Sequence, residues 1–179
     1  MDEPTQDEST KKHSDDLRVL GIDPGLNITG YGVLAVNDGQ VAVIEAGVVR
    51  SKPRHSFPDR IKTIYDGVLD VIDTLHPDCV GLEELYSHYE RPKTSIIMGH
   101  ARGVICLAAG QRGLSLESYA ATQVKKILTG NGRASKEQVQ LAVTRHLGLQ
   151  EVPQPADVAD AIAIGLCHFY LNVRQGLPR

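Results

Sequence analysis

The sequence predicts an α/β domain whose sheet mixes antiparallel and parallel strands. Three β-type runs follow one another from residue 17, and two segments with helical periodicity then alternate with two further strand-like runs. Asn37-Asp38-Gly39, between the second and third runs, is a strong hairpin signal. Strands joined by a hairpin are antiparallel and strands joined through a helix are typically parallel, so both kinds of pairing are expected.

The opening strands and the first helix are the clearest elements. LRVLGID, ITGYGVLAV and QVAVIEAGVV are rich in the apolar and β-branched residues that are typical of strands. Over residues 57–76 the apolar side chains change to a helical period and fall on one stripe, which predicts an amphipathic helix. Pro77 ends this helix.

The remaining elements complete a mixed five-stranded sheet flanked by helices. DCVGLEEL is apolar on both faces, as is typical of a central parallel strand. A helix over residues 93–111 and a strand over residues 114–118 follow. Beyond them the pattern predicts three helices, separated at residues 130–132 and at residues 148–155, where glycine and proline accumulate.

Length and charge predict one folded domain with an acidic extension. A chain of 179 residues can bury a core without disulfides. Residues 1–16 carry six acids and two lysines, so we expect a disordered tail there, a folded domain over residues 17–175 and a short tail over residues 176–179. The rest of the chain contains 17 Lys and Arg and 16 Asp and Glu, so its net charge does not exclude a nucleic-acid partner.

Cysteine usage and hydropathy favour a cytoplasmic protein. The three cysteines are odd in number and too far apart for a CxxC motif, which predicts neither a zinc site nor a disulfide framework. The longest apolar stretch, residues 158–173, is interrupted by Asp160 and His168, so we expect a buried helix and no membrane span. Four histidines without metal-ligand spacing are expected in the core or at helix ends: His76, His100, His146 and His168.

Acids stand at two predicted strand ends. Asp23 closes the first strand within GIDPG, although Asp-Pro-Gly is also ordinary turn chemistry. Glu83 lies near the end of the fourth strand, where a buried acid needs a ligand or a hydrogen-bond network. Its neighbour Glu84 points to the opposite face, because side chains alternate along a strand. Periodicity does not choose which glutamate joins Asp23, and a solvated strand end explains either.

Two further acids open the last predicted helix. Asp157 and Asp160 are three residues apart and therefore share one helical face. The helix macrodipole favours acids in a first turn, which explains Asp157 better than Asp160, whose neighbours are apolar. Four carboxylates brought together repel one another unless divalent cations hold them, and oxygen donors favour Mg²⁺ or Mn²⁺ over zinc. Such a site suits phosphodiester hydrolysis.

Several motifs in one order resemble the RuvC family of bacterial Holliday junction resolvases. They are GIDPGLNITGYGV, GLEELY, GHARGV, YAATQVKK and PQPADVADAIAIG, and they extend over most of residues 17–170. The resemblance implies an RNase H-like fold, with a mixed five-stranded sheet flanked by helices. It also implies a crossover junction endodeoxyribonuclease that makes symmetric paired nicks with 5'-phosphate products in recombination and repair.

The resemblance also assigns roles to the acids. It implies that Asp23, Glu83, Asp157 and Asp160 are catalytic and hold two divalent cations per subunit, Mg²⁺ or Mn²⁺, with Asp23 bridging both. It selects Glu83, because the glutamate of the family precedes an aromatic residue by three positions, here Tyr86. Some members carry histidine where Asp157 stands, and this sequence has the all-carboxylate form.

Basic residues flank the glycine break after the fifth strand. Lys125, Lys126, Arg133 and Lys136 would suit phosphate binding, although a solvated helix face is the ordinary explanation for such residues. The resemblance implies catalytic roles for Lys125 and Lys136, which would bind the scissile strand and offset the charge that builds at phosphorus. Lys126 and Arg133 are further candidate DNA contacts.

The polar loop after the fourth strand supplies the other candidate DNA contacts, which are Tyr86, Tyr89, Arg91 and Lys93. An aromatic residue here is also compatible with an ordinary core position. The resemblance implies that Tyr86 stacks on a base in the opened centre of the junction, a role that Tyr89 can share.

The resemblance further implies partners. A four-way DNA junction would bind a homodimer, because two symmetry-related sites can nick two like-oriented strands. The helix that contains Met98, Gly99 and Ala101 would contribute to the dimer interface, and the RuvA-RuvB branch-migration complex would act beside the enzyme.

Three alternatives stay open. A YqgF-like RNase has the same fold and a similar layout of acids, but it lacks this combination of the Tyr86 loop and two lysines. An ATP-binding protein of the actin-like fold needs roughly twice this length. A junction-binding module without catalysis would have no need of all four acids.

Overall fold

A computed structural model describes residues 16–85 and 92–173. The strands are β1 Leu17–Asp23, β2 Ile28–Asn37, β3 Gln40–Arg50, β4 Cys79–Glu83 and β5 Ser115–Tyr119. The helices are α1 Phe57–Leu75, α2 Pro92–Gln111, α3 Ala121–Thr129, α4 Lys136–His146 and α5 Ala156–His168, which continues into a π-helical turn, Phe169–Val173. The expectations for both tails fall outside the described residues, apart from Asp16.

Local sequence explains where the helices begin and end. The Ser56 hydroxyl accepts the Asp59 backbone N–H at 3.3 Å at the start of α1, and His76 ends that helix in the left-handed conformation. Ser135 and Gln138 form a capping box at the start of α4. This cap fixes the first turn of α4, which carries one of the two candidate catalytic lysines.

The strand order across the sheet is β3-β2-β1-β4-β5. β2 pairs antiparallel with both β1 and β3, whereas β4 pairs parallel with both β1 and β5. The mixed sheet expected from the sequence is therefore confirmed. Because β3 runs in the same direction as β1, the carboxyl ends of four strands, β3, β1, β4 and β5, lie at one edge.

Both faces of the sheet are covered, and alternation along the strands assigns each residue to a face. Val19 and Leu34 belong to a core with α3, α4 and α5, whereas Leu20 and Val33 belong to a second core with α1 and α2. Burial on both faces explains why β1 and β4 read as continuous apolar runs instead of alternating ones.

Helix α5 rests directly on the backbone of β1 and β2. A Cβ atom added at Gly21 would lie 2.1 Å from the Ala161 carbonyl oxygen, and one added at Gly30 would lie 2.1 Å from the Asp157 carbonyl oxygen. No side chain can occupy such a space, so glycine is required at both positions. The first turn of α5 is thereby held against the strand next to β1.

The helical stretch Ala156–Val173 is long and apolar enough by composition to cross a membrane, and 61% of it is buried inside the fold. Val158, Ile162 and Leu166 on α5 belong to the core beside the sheet. The expectation of a buried helix is confirmed, and its apolar character is explained by its contacts with the sheet.

Candidate active site

Asp23 is the last residue of β1 and lies on the α5 face of the sheet. It has the same parity along the strand as Val19, which packs in the α5 core, and Gly21, which touches α5. The chain turns away immediately afterwards, where the Thr29 hydroxyl donates a hydrogen bond to the Gly25 carbonyl at 2.8 Å. The Asp23 carboxylate is therefore half-buried at the edge between the sheet and α5.

Glu83 ends the neighbouring parallel strand and shares a hydrogen bond with Asp23. Cys79 and Gly81 have the same parity as Glu83, and both face α5. Glu84 is exposed, and its backbone N–H donates to the Tyr119 carbonyl at 2.9 Å. The structure therefore decides the alternative that periodicity left open, because Glu83 is the glutamate that meets Asp23.

The first turn of α5 brings the remaining two acids to this edge. Asp157 follows the N-cap position of α5, and its backbone contacts Gly30, which pairs with Asp23. Asp160 lies one turn further, and its Oδ2 is 2.6 Å from the Lys136 Nζ. Both acids are close enough to Asp23 to act on its charge.

The electrostatics of this cluster centre on Asp23. Burial, followed by the charge and hydrogen bond of Glu83 and then by the charges of Asp160 and Asp157, raises the pKa of Asp23 from 3.8 to about 8. Burial also raises the pKa of Glu83, against the lowering effect of its hydrogen bond with Asp23. The Asp23–Glu83 pair therefore retains a proton at neutral pH when no cation is bound.

Two lysines share a cavity with two of the acids. Lys125 and Lys136 line a space of about 250 Å³ together with Glu83 and Asp160, and the charges of both lysines favour ionised Glu83. The hydrogen bond with Asp160 raises the pKa of Lys136. Lys136 is about half exposed, with 51% of its side chain accessible, so the pair is open to solvent.

The donor set fits divalent cations. Within residues 16–85 and 92–173, no three His, Cys, Asp or Glu side chains form a ready-made metal cluster. The four acids nevertheless act on one another: burial and the neighbouring acids raise the pKa of Asp23, and the Lys136 ammonium group pairs with Asp160. Carboxylate oxygens that need such compensation are ligands suited to Mg²⁺ or Mn²⁺.

The predicted DNA contacts that the structure describes do not line this cavity. Lys93, Lys126 and Arg133 are exposed, and their assignment as DNA contacts stays a prediction. The remaining three candidates, Tyr86, Tyr89 and Arg91, lie outside the described residues.

The histidines follow the expectation with one exception. His76 and His146 stand at helix ends, and His168 is buried. His100 was expected in the core or at a helix end, but it is exposed within α2, where its ring meets Phe57 edge-on at a centroid distance of 5.2 Å. No metal-ligand group forms around the histidines of the described residues.

Sequence reasoning missed two groups beside the ends of β4 and β5. Arg102, in the middle of α2, donates from Nε to the Glu83 carbonyl at 3.3 Å and from its guanidinium to the Ser118 hydroxyl. On the opposite face, the buried Tyr119 hydroxyl lies 2.9 Å from Nδ1 of His168. The GHARGV motif contains Arg102, but its spacing gives no sign that it reaches Glu83.

Comparison with known proteins agrees with this arrangement. A family model described as crossover junction endodeoxyribonuclease RuvC matches residues 19–168. The chain belongs to the RuvC family. A RuvC relative from Rhodopirellula baltica is 54% identical to this RuvC-family chain over 153 residues, which is 86% of each chain.

Solved RuvC structures have the same architecture. Thermus thermophilus RuvC is 36% identical, with a TM-score of 0.81 over 89% of this chain and 97% of that one. The same protein in complex with a Holliday junction substrate is 35% identical, with a TM-score of 0.82 over 89% and 96% of the chains. The mixed sheet of this RuvC-family chain is thus the RNase H-like fold.

Proposed function

We propose that this chain is a metal-dependent endonuclease that resolves four-way DNA junctions by paired nicks. The supporting observation is the convergence of four carboxylates, Asp23, Glu83, Asp157 and Asp160, on one edge of the sheet, beside two lysines. Membership of the RuvC family supports the substrate, since a relative bears the name of a crossover junction endodeoxyribonuclease and another was solved with a Holliday junction.

The four carboxylates would hold two divalent cations, Mg²⁺ or Mn²⁺. Asp23 would be the central ligand, because Glu83, Asp157 and Asp160 all act on its ionisation. When bound, the cations would supply an activated water and charge stabilisation for in-line displacement at phosphorus. Two of these ligands would come from strand ends and two from one turn of α5.

Lys136 and Lys125 would act on the scissile phosphate. Both line the cavity that contains Glu83 and Asp160. The Lys136 ammonium group, which pairs with Asp160 here, would offset the negative charge that develops at the phosphorus centre. A fixed cation at that position stabilises the transition state more than the ground state.

A homodimer is supported by an unpartnered face of α2. Ile96, Gly99, Gly103 and Leu107 follow helical spacing along this face, and Ile96 and Leu107 are 61% and 52% exposed. A Cβ atom at either glycine would meet nothing within 4 Å, so a second helix can approach closely. Gly99 lies on this face, whereas Ala101 on the same helix is buried in the subunit's own core.

The biological setting follows from the family. Junction cleavage would serve recombination and repair in the cytoplasm, next to the RuvA-RuvB branch-migration complex. Tyr86 and Tyr89 would stack on opened bases, and Arg91, Lys93, Lys126 and Arg133 would contact the DNA backbone.

The decisive experiment is cleavage of a mobile four-way junction, with duplex DNA and an RNA–DNA hybrid as comparison substrates. With Mg²⁺ or Mn²⁺ we expect symmetric nicks confined to the junction, and loss of cleavage by at least about 100-fold in Asp160→Asn. Glu84→Gln is the matched control, because Glu84 is exposed and faces away from the site. Cleavage of the hybrid instead would indicate an RNase of this fold, and junction binding without cleavage would indicate a binding module.

A further inference from the structure

The segment from the end of β3 to the start of α1 carries positive charge that the site described above does not use. No Asp or Glu occurs between Glu45 and Asp59. Within this segment Arg50, Lys52 and Arg54, hereafter the basic turn, are all exposed. The ion pairs of the described residues are Lys62–Asp66, Arg112–Asp73 and Lys136–Asp160, so the basic turn has no carboxylate partner there.

The basic turn lies at the same edge of the sheet as the four carboxylates. Asp23 pairs with Gly30, Gly30 pairs with Val48, and Arg50 is two residues further along β3. Two strand spacings and two residue steps separate the Cα atoms of Asp23 and Arg50 by about 12 Å. Arg50 also lies on the α5 face of the sheet, because it has the parity of Val48 and pairs with Ile28.

Hydrogen bonds fix the basic turn to the loop that leaves the active site. The His55 N–H donates to the Lys52 carbonyl at 3.0 Å, which closes the turn. The Ser51 N–H donates to the Asn27 carbonyl at 3.1 Å. Asn27 lies only four residues after Asp23, so this bond ties the turn to the loop that follows the first strand.

An arginine from α1 strengthens this connection. Arg60 donates from Nε to the Ser51 hydroxyl at 3.2 Å and from its guanidinium to the Asn27 side-chain oxygen. The Ser51 hydroxyl in turn donates to the Leu26 carbonyl. The three cationic side chains therefore project from a backbone that is ordered before any ligand arrives, which lowers the entropy cost of binding.

We propose that the basic turn binds the phosphodiester backbone of the DNA arm that flanks the cut. This proposal rests on the proposed function, because that function brings a polyanion to the same edge and face. Successive phosphates of one strand advance 3.4 Å along the helix axis, so a 12 Å offset corresponds to about three to four nucleotides from the scissile phosphate. Arginine and lysine at exposed positions are the usual contacts to phosphate oxygens.

The first test is the salt dependence of DNA binding, measured without Mg²⁺ or Mn²⁺ on a four-way junction and on a plain duplex. We compare Arg50→Gln/Lys52→Gln/Arg54→Gln with a matched control of equal charge, Lys62→Gln/Arg112→Gln/Arg145→Gln. Each lost phosphate contact lowers the slope of log K against log salt concentration by about 0.9, so the basic-turn variant should lose about 2 to 3. Its single-turnover cleavage rate at saturating enzyme should stay within about twofold of the wild type, because no catalytic group changes.

The second test locates the contact on the DNA. Neutral methylphosphonate linkages are placed one at a time within about five nucleotides on either side of the cut. We expect one or two positions to weaken binding of the wild type at least about threefold and to have no effect on the basic-turn variant.

The outcomes separate the two proposals. A salt slope equal to that of the control triple variant, or equal methylphosphonate effects in wild type and variant, would overturn the role of the basic turn while cleavage stays intact. DNA binding that depends on the basic turn, in a protein that never cleaves a junction, would overturn the catalytic proposal alone. Wild-type protein that binds no DNA at all would overturn both.

Discussion

The fold strongly perturbs the ionisation of Asp23. This residue stands between two strand ends and the start of α5, and burial beside three other acids raises its pKa to about 8. A carboxyl group in the unfolded chain titrates near 4, so the folded state binds more protons than the unfolded state between about pH 4 and pH 8. The metal-free protein therefore loses stability as pH rises through this window.

This sign gives a first prediction. Thermal unfolding without divalent cations should show a lower Tm at pH 8 than at pH 5, and Asp23→Asn should flatten this dependence. Each pKa unit between the folded and unfolded states is worth about 1.4 kcal/mol, so the effect should be readily measurable. Mg²⁺ or Mn²⁺ should raise the Tm more at pH 8 than at pH 6, since the cation competes with the shared proton. Equal pH profiles for wild type and Asp23→Asn would contradict the assignment of the raised pKa.

Lys136 gives a second prediction at the same scale. Lys136→Gln should lower the single-turnover cleavage rate by roughly 100-fold and change junction affinity by less than about threefold, because the ammonium group acts mainly on the transition state. Lys136→Arg, which keeps the charge, should recover part of the rate. Arg145→Gln on the same helix is the control. If Lys136→Gln instead lowered junction affinity by roughly 100-fold and left the cleavage rate unchanged, Lys136 would be a phosphate contact without a catalytic role.

At this scale the sequence located the acids but not their environment. Periodicity could not show whether Glu83 or Glu84 points toward Asp23. Because β4 is buried on both faces, its apolar pattern does not indicate which face of the sheet each side chain is on. Only the family motif made the choice, and the parity of Cys79 and Gly81 agrees with it. The pairing of Lys136 with Asp160 depends on how α4 packs beside α5, which no local pattern encodes.

At the scale of elements, the junction between α5 and the sheet determines where Asp157 and Asp160 lie. The sequence predicted α5 and its burial, since its apolar residues and the proline before it are local signals. It did not predict that the backbone of this helix packs directly against Gly21 and Gly30, because a glycine within a strand does not indicate which element approaches it.

Gly30→Ala should therefore disturb both stability and catalysis. The new methyl group would overlap the Asp157 carbonyl oxygen, so α5 must shift, at a cost of about 1 to 3 kcal/mol or more. We expect a Tm lower by several degrees and a cleavage rate reduced beyond the loss of folded protein, measured on protein that circular dichroism shows to be folded. Gly110→Ala is the control, because nothing lies within 4 Å of its Cβ position, and a helical alanine should be neutral or stabilising.

At the scale of the whole molecule, the element order and the mixed sheet were accessible to sequence reasoning, since hairpin and helical signals are local. The strand order β3-β2-β1-β4-β5 could not be predicted from such signals, because nothing local places β4 beside β1. The family resemblance implied the fold as a whole, and the solved RuvC structures confirm it.

The exposed face of α2 leads to a prediction about assembly. Leu107→Asp should convert a dimer into a monomer at micromolar concentration, because it places a charge on the exposed apolar face of α2. Leu141→Asp is the matched control, since Leu141 is a comparably exposed leucine on α4, at 45% against 52% for Leu107. Sedimentation velocity gives the readout. A Leu107→Asp variant that stays dimeric would assign the interface to another surface.

Helix α5 packs directly against glycine residues of the sheet, and this packing determines how the spacing of the acids is maintained. In most helix–sheet interfaces, side chains fill the space between the two backbones. Their torsion angles can adjust to small displacements and change with temperature or solvent. Here main chain meets main chain at Gly21 and Gly30, so no side-chain torsion intervenes between the strand that carries Asp23 and the turn that carries Asp157. The separation of the two backbone segments that carry these carboxylates is thus set by direct main-chain packing, and only the side-chain torsions of Asp23 and Asp157 themselves lie between that backbone and the carboxylates.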